Sequence, residues 1–271
     1  MKELLQSKSP LVMGILNTTP DSFSDGGSYV RKDIALRRIE TMIEEGVDII
    51  DVGGESTRPG AQAVSESEEL VRVIPMVEAV VAAGKPVSID TSKALVMQEA
   101  IRAGASMIND VRALQEEGAL DAVAASDEVL ICLMHMQGQP RSMQHNPHYD
   151  DVVTEVKSFL QQRVEVCQKV GINSDRICLD PGFGFGKTLQ HNCELMKHLD
   201  SFKELNLPLL VGVSRKTMIG NILDADVNNR TNGSVVAAMY ALTKGAKIVR
   251  VHDIKPTVEA VKLFCAFEQA K

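Results

Sequence analysis

Seven polar side chains stand where short apolar runs stop: Asn17, Asp90, Asn109, Asp180, Ser214, Arg250 and His252. Carboxylates and amides at one mouth can read the donor and acceptor edge of a nitrogen heterocycle. Arg250 and His252, with Lys216 just beyond Ser214, can neutralise a bound or departing anion. Asp180 follows the apolar run Ile177-Cys178-Leu179, and Pro181, which cannot donate to a ladder, ends that strand. The glycines at 182, 184 and 186 let backbone approach a flat ligand. Gly186-Lys187-Thr188 imitates the end of a phosphate-binding loop. The pattern G-x-x-x-x-G-K-[ST] needs Gly at position 181, however, and the chain has Pro there.

The frame that must hold these residues is legible in the alternation of patterns. Apolar runs at 11–17, 47–54, 86–90, 106–109, 129–136, 177–180, 208–214 and 247–253 read as buried strands. Between or after them, helical spacing covers about 31–46, 66–83, 93–103, 119–125, 151–170, 188–206, 232–244 and 256–269. Strands alternating with helices demand a parallel sheet with crossover connections. Eight such units within 271 residues, with no linker between them, predict an α/β fold: a single-domain (β/α)8 TIM barrel. A doubly wound open sheet is the alternative, with fewer repeats expected.

In a barrel the site lies at the carboxyl ends of the strands. Side chains alternate in and out, so counting back by twos tests which face each polar residue takes. Asp180 shares a face with Cys178, Asp90 with Ser88, Asn109 with Met107, and Asn17 with Ile15 and Met13. Arg250 and His252 share one face of the last strand, while Val249 and Val251 take the other. Gly212 and Ser214 line up with Leu210, and Gly212 leaves room for a ring.

Composition removes several classes. A net charge of -7 argues against nucleic-acid binding through bulk charge, so a local basic cluster must hold any anion. Five cysteines, with no C-x-x-C pair, indicate neither a disulfide framework nor a zinc site. Met1–Pro10 has no apolar signal core, and no run is long enough to span a membrane. A reduced cytoplasmic setting is expected. His135, His145 and His148 match no ligand spacing and read as solvated loop histidines.

With these residues in view, the chain resembles the dihydropteroate synthase family over its whole length. The likeness is carried by residues 13–27 (MGILNTTPDSFSDGG), 51–60 (DVGGESTRPG), Ile89-Asp90-Thr91, Ile108-Asn109-Asp110 and 134–138 (MHMQG). Residues 179–187, Ser214-Arg215-Lys216 and Arg250-Val251-His252-Asp253 complete it. Thr18 and Phe183 depart from commoner aliphatic residues without changing a reactive group.

The resemblance implies condensation of 6-hydroxymethyl-7,8-dihydropterin diphosphate with p-aminobenzoate, releasing diphosphate through an SN1-like ionisation. It implies Asp90, Asp180, Lys216 and Asn17 as catalytic. Asp180 and Asn109 would read the pterin edge, with Val111, Met134, Phe185 and Gly212 around the ring. Lys216 would donate to the pterin carbonyl, and Arg250 would stack on the ring. Arg250, His252 and Asn17 would hold the diphosphate, with Mg2+ on Asn17. Thr57, Arg58, Phe23, Pro59, Ser214 and Thr217 complete the implied substrate contacts. The p-aminobenzoate carboxylate would meet the helix start near Thr217, and Phe23 and Pro59 would flank its ring. A homodimer is also implied. A methyltetrahydrofolate methyltransferase and a non-catalytic pterin-binding module are the rival readings. The loop at 18–27 and the Ser-Arg-Lys run speak against the first, and the retained Asn17, Lys216, Arg250 and His252 against the second.

The run Val235 to Leu242 in the helix at 232–244 has no polar break. One side must cover the barrel, so the other needs a partner: a second copy, or the final helix of the same chain.

Overall fold

The computed structural model describes residues 1–18, 28–56, 63–139 and 142–270. A short helix α1 (Lys2–Gln6) precedes β1 (Leu11–Asn17), followed by α2 (Ser28–Glu44) and β2 (Ile49–Gly53). Next come α3 (Glu66–Ala82), β3 (Val87–Asp90), α4 (Ala94–Arg102), β4 (Met107–Asp110), α5 (Ala119–Ala124) and β5 (Leu130–Met134). The chain continues with α6 (Val152–Lys169), β6 (Ile177–Asp180), α7 (Leu189–Lys197), β7 (Leu210–Val211) and α8 (Thr217–Leu223). It ends with α9 (Thr231–Thr243), β8 (Ile248–Val251) and α10 (Ile254–Glu268).

The strands are parallel neighbours in the order β6-β5-β4-β3-β2-β1-β8-β7. A parallel bridge between Leu179 and Leu209 joins the two ends of this sheet, and Leu179 N donates to Pro208 O at 2.9 Å. That junction closes the barrel and removes the open-sheet alternative.

Two cores follow from the alternation of side chains. The larger lies between strands and helices and takes the outward residues, among them Val12, Ile50, Ile89, Ile108, Leu179, Val211, Val249 and Val251. The smaller fills the barrel with Met13, Ile49, Met107, Leu130, Cys132, Cys178, Leu210 and Ile248. Leu5 of α1 is buried against this inner layer, with Met1 and Leu4 packed beside it, so α1 stops the amino-terminal end of the barrel.

Local signals set the helix starts. Ser65 accepts from Glu68 N at the start of α3, and Asp151 accepts from Val153 N and Thr154 N at the start of α6. Thr188 and His191 form a reciprocal cap on α7. Two expectations need correction. The helix expected over 188–206 stops at Lys197, and Leu199–Leu205 continues as a tighter 3-10 turn. The strand expected over 208–214 pairs regularly only at Leu210–Val211.

Candidate functional site

The inward alternation carries the polar residues upward from the inner core to the carboxyl mouth. Arg250, one residue pair above Ile248, reaches across the barrel. Its Nε donates to Asp51 Oδ2 at 2.6 Å and its Nη2 to Asp90 Oδ2 at 2.7 Å. Asn109 Nδ2 approaches the same Asp51 oxygen at 3.4 Å. Asp51 is wholly buried, and burial pushes the Asp90 carboxyl up while Arg250 opposes the shift. Asp51 Oδ1, Asn109 Oδ1 and Ser88 Oγ are buried with no hydrogen-bond partner among the described residues. Such a layer of unfilled acceptors and donors suits a polar heterocycle above it.

Asp51 is the residue that the sequence reading missed. It lies in mid-strand, and only strand-end residues were counted inward. An aspartate two positions from Ile49 inside an apolar run was the available signal.

Asp180 ends β6 as expected and is buried. Its Oδ1 accepts from Gly182 N at 2.7 Å, and the other oxygen takes no hydrogen bond from the described residues. Burial raises its carboxyl, against the Gly182 hydrogen bond and the charges of Lys216, Arg250 and Lys187. Gly182 has φ +69°, and a Cβ there would run into the His135 carbonyl oxygen, so the turn that supplies this hydrogen bond requires glycine.

Lys216 is delivered by an uncommon turn. Arg215 adopts φ +57° and is held there by a two-toothed ion pair to Asp253 and by its own N–H to Ser234 Oγ at 2.8 Å. Lys216 Nζ then donates to Phe183 O and sits 4.2 Å from the centre of the Phe185 ring. Desolvation brings its pKa down to about 8, against the pull of Asp180. Ser214 Oγ accepts from His252 N at 3.1 Å and lies 3.1 Å from His252 Nδ1, which ties the last two strands together at the mouth.

Val111 and Met134 are buried, and with Arg112 and Phe159 they line a cleft of about 230 Å³ beside the mouth. Gly212 faces Arg250, whose Cβ and Cδ would lie 3.8 Å from an added Cβ. Thr217 is exposed at the first position of α8. Phe23, Thr57, Arg58 and Pro59 lie outside the described residues.

Asn17 is half-buried at the end of β1, and its side chain takes no hydrogen bond from the described residues. Its Oδ1 lies beside Gly53, 3.7 Å from where a Cβ there would stand, with the Asp90 side chain on the same spot. No group of three or more acidic, His or Cys side chains among the described residues could hold a metal. A single amide oxygen nonetheless fits Mg2+, which keeps waters and shares substrate phosphates.

One expectation is overturned here. His135 is not solvated: it is buried under Tyr149 and Phe159, with Nδ1 2.9 Å from Lys187 Nζ. His145 and His148 are exposed, as expected.

The chain can now be set beside known proteins. Residues 13–252 match the family model described as "Pterin binding enzyme". The chain is 51% identical to the dihydropteroate synthase of Haemophilus influenzae over 262 residues, covering 96% of this chain and 95% of the relative. It is also 51% identical to that of Escherichia coli over 268 residues, covering 98% and 95%. A Yersinia pestis dihydropteroate synthase solved with a sulfonamide drug superposes with a TM-score of 0.92 at 52% identity, covering 98% of this chain and 96% of that one. The Xanthomonas albilineans dihydropteroate synthase in complex with 7,8-dihydropteroate gives 0.89 at 44% identity, covering 97% and 95%. Likeness of this closeness, over almost every residue of both partners, means that the chain belongs to the pterin-binding enzymes and, among them, to the dihydropteroate synthases.

Proposed function

We propose that the barrel mouth joins 6-hydroxymethyl-7,8-dihydropterin diphosphate to p-aminobenzoate by ionisation before attack. The observation that carries this reading is the convergence of Asp51, Asp90, Asn109, Asp180, Lys216 and Arg250 on one polar layer above a closed apolar floor. The open oxygen of Asp180 and the side chain of Asn109 read the amino and ring N–H edge of the pterin. Lys216 turns from Phe183 O to the pterin carbonyl. As the methylene–oxygen bond breaks, positive charge grows on the pterin methylene, and the fixed carboxylates of Asp90 and Asp180 stabilise it. The aniline nitrogen of p-aminobenzoate then attacks, and its proton leaves to solvent or diphosphate.

Asn17 is proposed as the residue that would hold Mg2+, which would supply neutralising charge to the leaving diphosphate. Arg250, bound to Asp90, and His252, bound to Ser214, are proposed to share in holding the diphosphate. Phe23, Thr57, Arg58, Pro59, Ser214 and Thr217 are proposed to complete the contacts to p-aminobenzoate and diphosphate. Relatives solved with 4-aminobenzoic acid and with 7,8-dihydropteroate support these two classes of ligand.

A homodimer is proposed through α9. Ser234, Ala238, Ala241 and Leu242 face inward, whereas Val236 is 69% and Tyr240 45% exposed. α10 packs beside α9 but leaves those two uncovered, and its own Leu263 and Phe267 are exposed as well. A cytoplasmic setting is proposed on the five free thiols, three of them buried in the cores. No helix among the described residues is long and apolar enough to cross a membrane.

Diphosphate release from the pterin diphosphate, measured with and without p-aminobenzoate, tests the reaction. Some release without the amine is expected, and faster release with it, with dihydropteroate formed in equal amount when the amine is present. Absence of release under both conditions would remove the catalytic reading.

A further inference from the structure

Lys187 has no part in the reaction just described, yet it is among the most completely enclosed charged side chains of the molecule, 3% exposed. Its Nζ lies 2.9 Å from Gly182 O, 3.0 Å from Phe185 O and 2.9 Å from His135 Nδ1. These three acceptors use the three N–H bonds of an ammonium. None belongs to a carboxylate: burial pulls the Lys187 pKa well below its ordinary value, and Asp180 opposes this only through space. His135 is kept neutral by burial and by Lys187, which pushes its pKa down to about 2. Its Nδ1 is therefore free to accept.

The three acceptors span the β6 loop and the first residue after β5. His135 N also donates to Asp180 O at 3.0 Å. In the same loop, Lys216 donates to Phe183 O. The loop that carries Asp180 and Phe185 is thus held by two lysines at different carbonyls. We propose that Lys187 is a positioning residue for the heterocycle pocket, tying the β5 and β6 loops together and, when protonated, placing positive charge behind Asp180. The proposal rests on the reading that Asp180 binds the pterin.

The charged and titratable groups facing Asp180 are Lys216 after β7, Arg250 on β8, Lys187 on its own loop and Cys132 on β5, with Asp51 and Asp90 beyond Arg250. Lys187 opposes the rise that burial imposes on Asp180. Its removal moves the acid limit of pterin binding to higher pH. Asn192 provides a control. Its Oδ1 accepts from Gly184 N at 2.7 Å and its Nδ2 donates to Thr188 O at 2.7 Å, so it grips the same loop without charge.

The test is calorimetric titration with a pterin lacking phosphate, across the neutral range, for wild type, Lys187→Met and Asn192→Ala. Lys187→Met is expected to weaken binding by at least about tenfold at neutral pH and to shift the acid limit upward. Asn192→Ala is expected to weaken binding with the limit unmoved. If both variants keep the wild-type limit, or Lys187→Met binds as wild type throughout, the proposal fails. If wild type itself binds no pterin, the underlying reading of Asp180 fails instead. Should Lys187→Met not fold, side-chain nitrogen NMR of lysine in the wild-type protein decides. A slowly exchanging ammonium at Lys187 that responds to pterin supports the proposal, and a neutral amine at pH 7 overturns it.

Discussion

Arg250 and Asp51 meet inside the barrel at 2.6 Å, with the aspartate shut off from solvent and the arginine also bound to Asp90. Removing one partner of such a group strands charge in a poor dielectric. Asp51→Ala is expected to destabilise the fold by about 3 kcal/mol, at the low end for a broken buried pair because Asp90 remains. Urea denaturation measures it. A loss below about 0.5 kcal/mol, the scatter of a surface substitution, would mean that Asp51 does not anchor Arg250.

Asp180→Ala is expected to abolish detectable pterin binding, because the ring loses the carboxylate whose second oxygen is open at the mouth. Calorimetric titration with a phosphate-free pterin reads this directly. Unchanged affinity would take Asp180 out of the pocket.

Asn17→Ala is expected to weaken the Mg2+ dependence of turnover while sparing affinity for a pterin without phosphate. Asn17 stands beside Gly53, on the strand next to β8. Magnesium titrations of turnover, paired with pterin calorimetry, separate the two ends of the site. Collapse of pterin binding would show that they are not separate.

Lys216 gives turnover a basic limit. Its ammonium must be charged to donate, and desolvation brings its pKa to about 8. kcat/KM is expected to fall above about pH 8, and Lys216→Arg, which stays protonated, is expected to remove that limit. The sign for stability is the reverse. From about 8 to 10.5 the unfolded chain holds this proton and the folded chain does not, so the lysine's contribution to stability rises with pH. A pH–rate profile and a pH series of melting temperatures test the two halves separately.

Val236 and Tyr240 on α9 are expected to lie at a subunit interface. Light scattering on a size-exclusion column at micromolar concentration checks this, and a monomer mass would remove the dimer. Val236→Glu, placed on an exposed position, is expected to shift the protein towards that mass without unfolding it.

The barrel was readable because its evidence is periodic. Asn17, Asp90 and Asp180 end their strands and Asn109 stands one residue before the end of its own, where alternation places them, and the inner face carries Met13, Met107 and Cys178 as counted. What escaped was contact at a distance along the chain. His135 follows a strand and precedes a polar loop, so it reads as solvated; Lys187, 52 residues later, encloses it. Lys187 in turn reads as a phosphate-loop residue until its three acceptors are seen. The break in the helix expected over 188–206 lacks any glycine or proline to announce it. α1 has only five residues, too few for a period to emerge.

With Leu5 of that short helix seated against the inner layer, the packed interior of the barrel is covered at its amino-terminal end. Deleting Met1 to Ser7 would strip Leu5 from the inner layer without removing one polar group of the mouth.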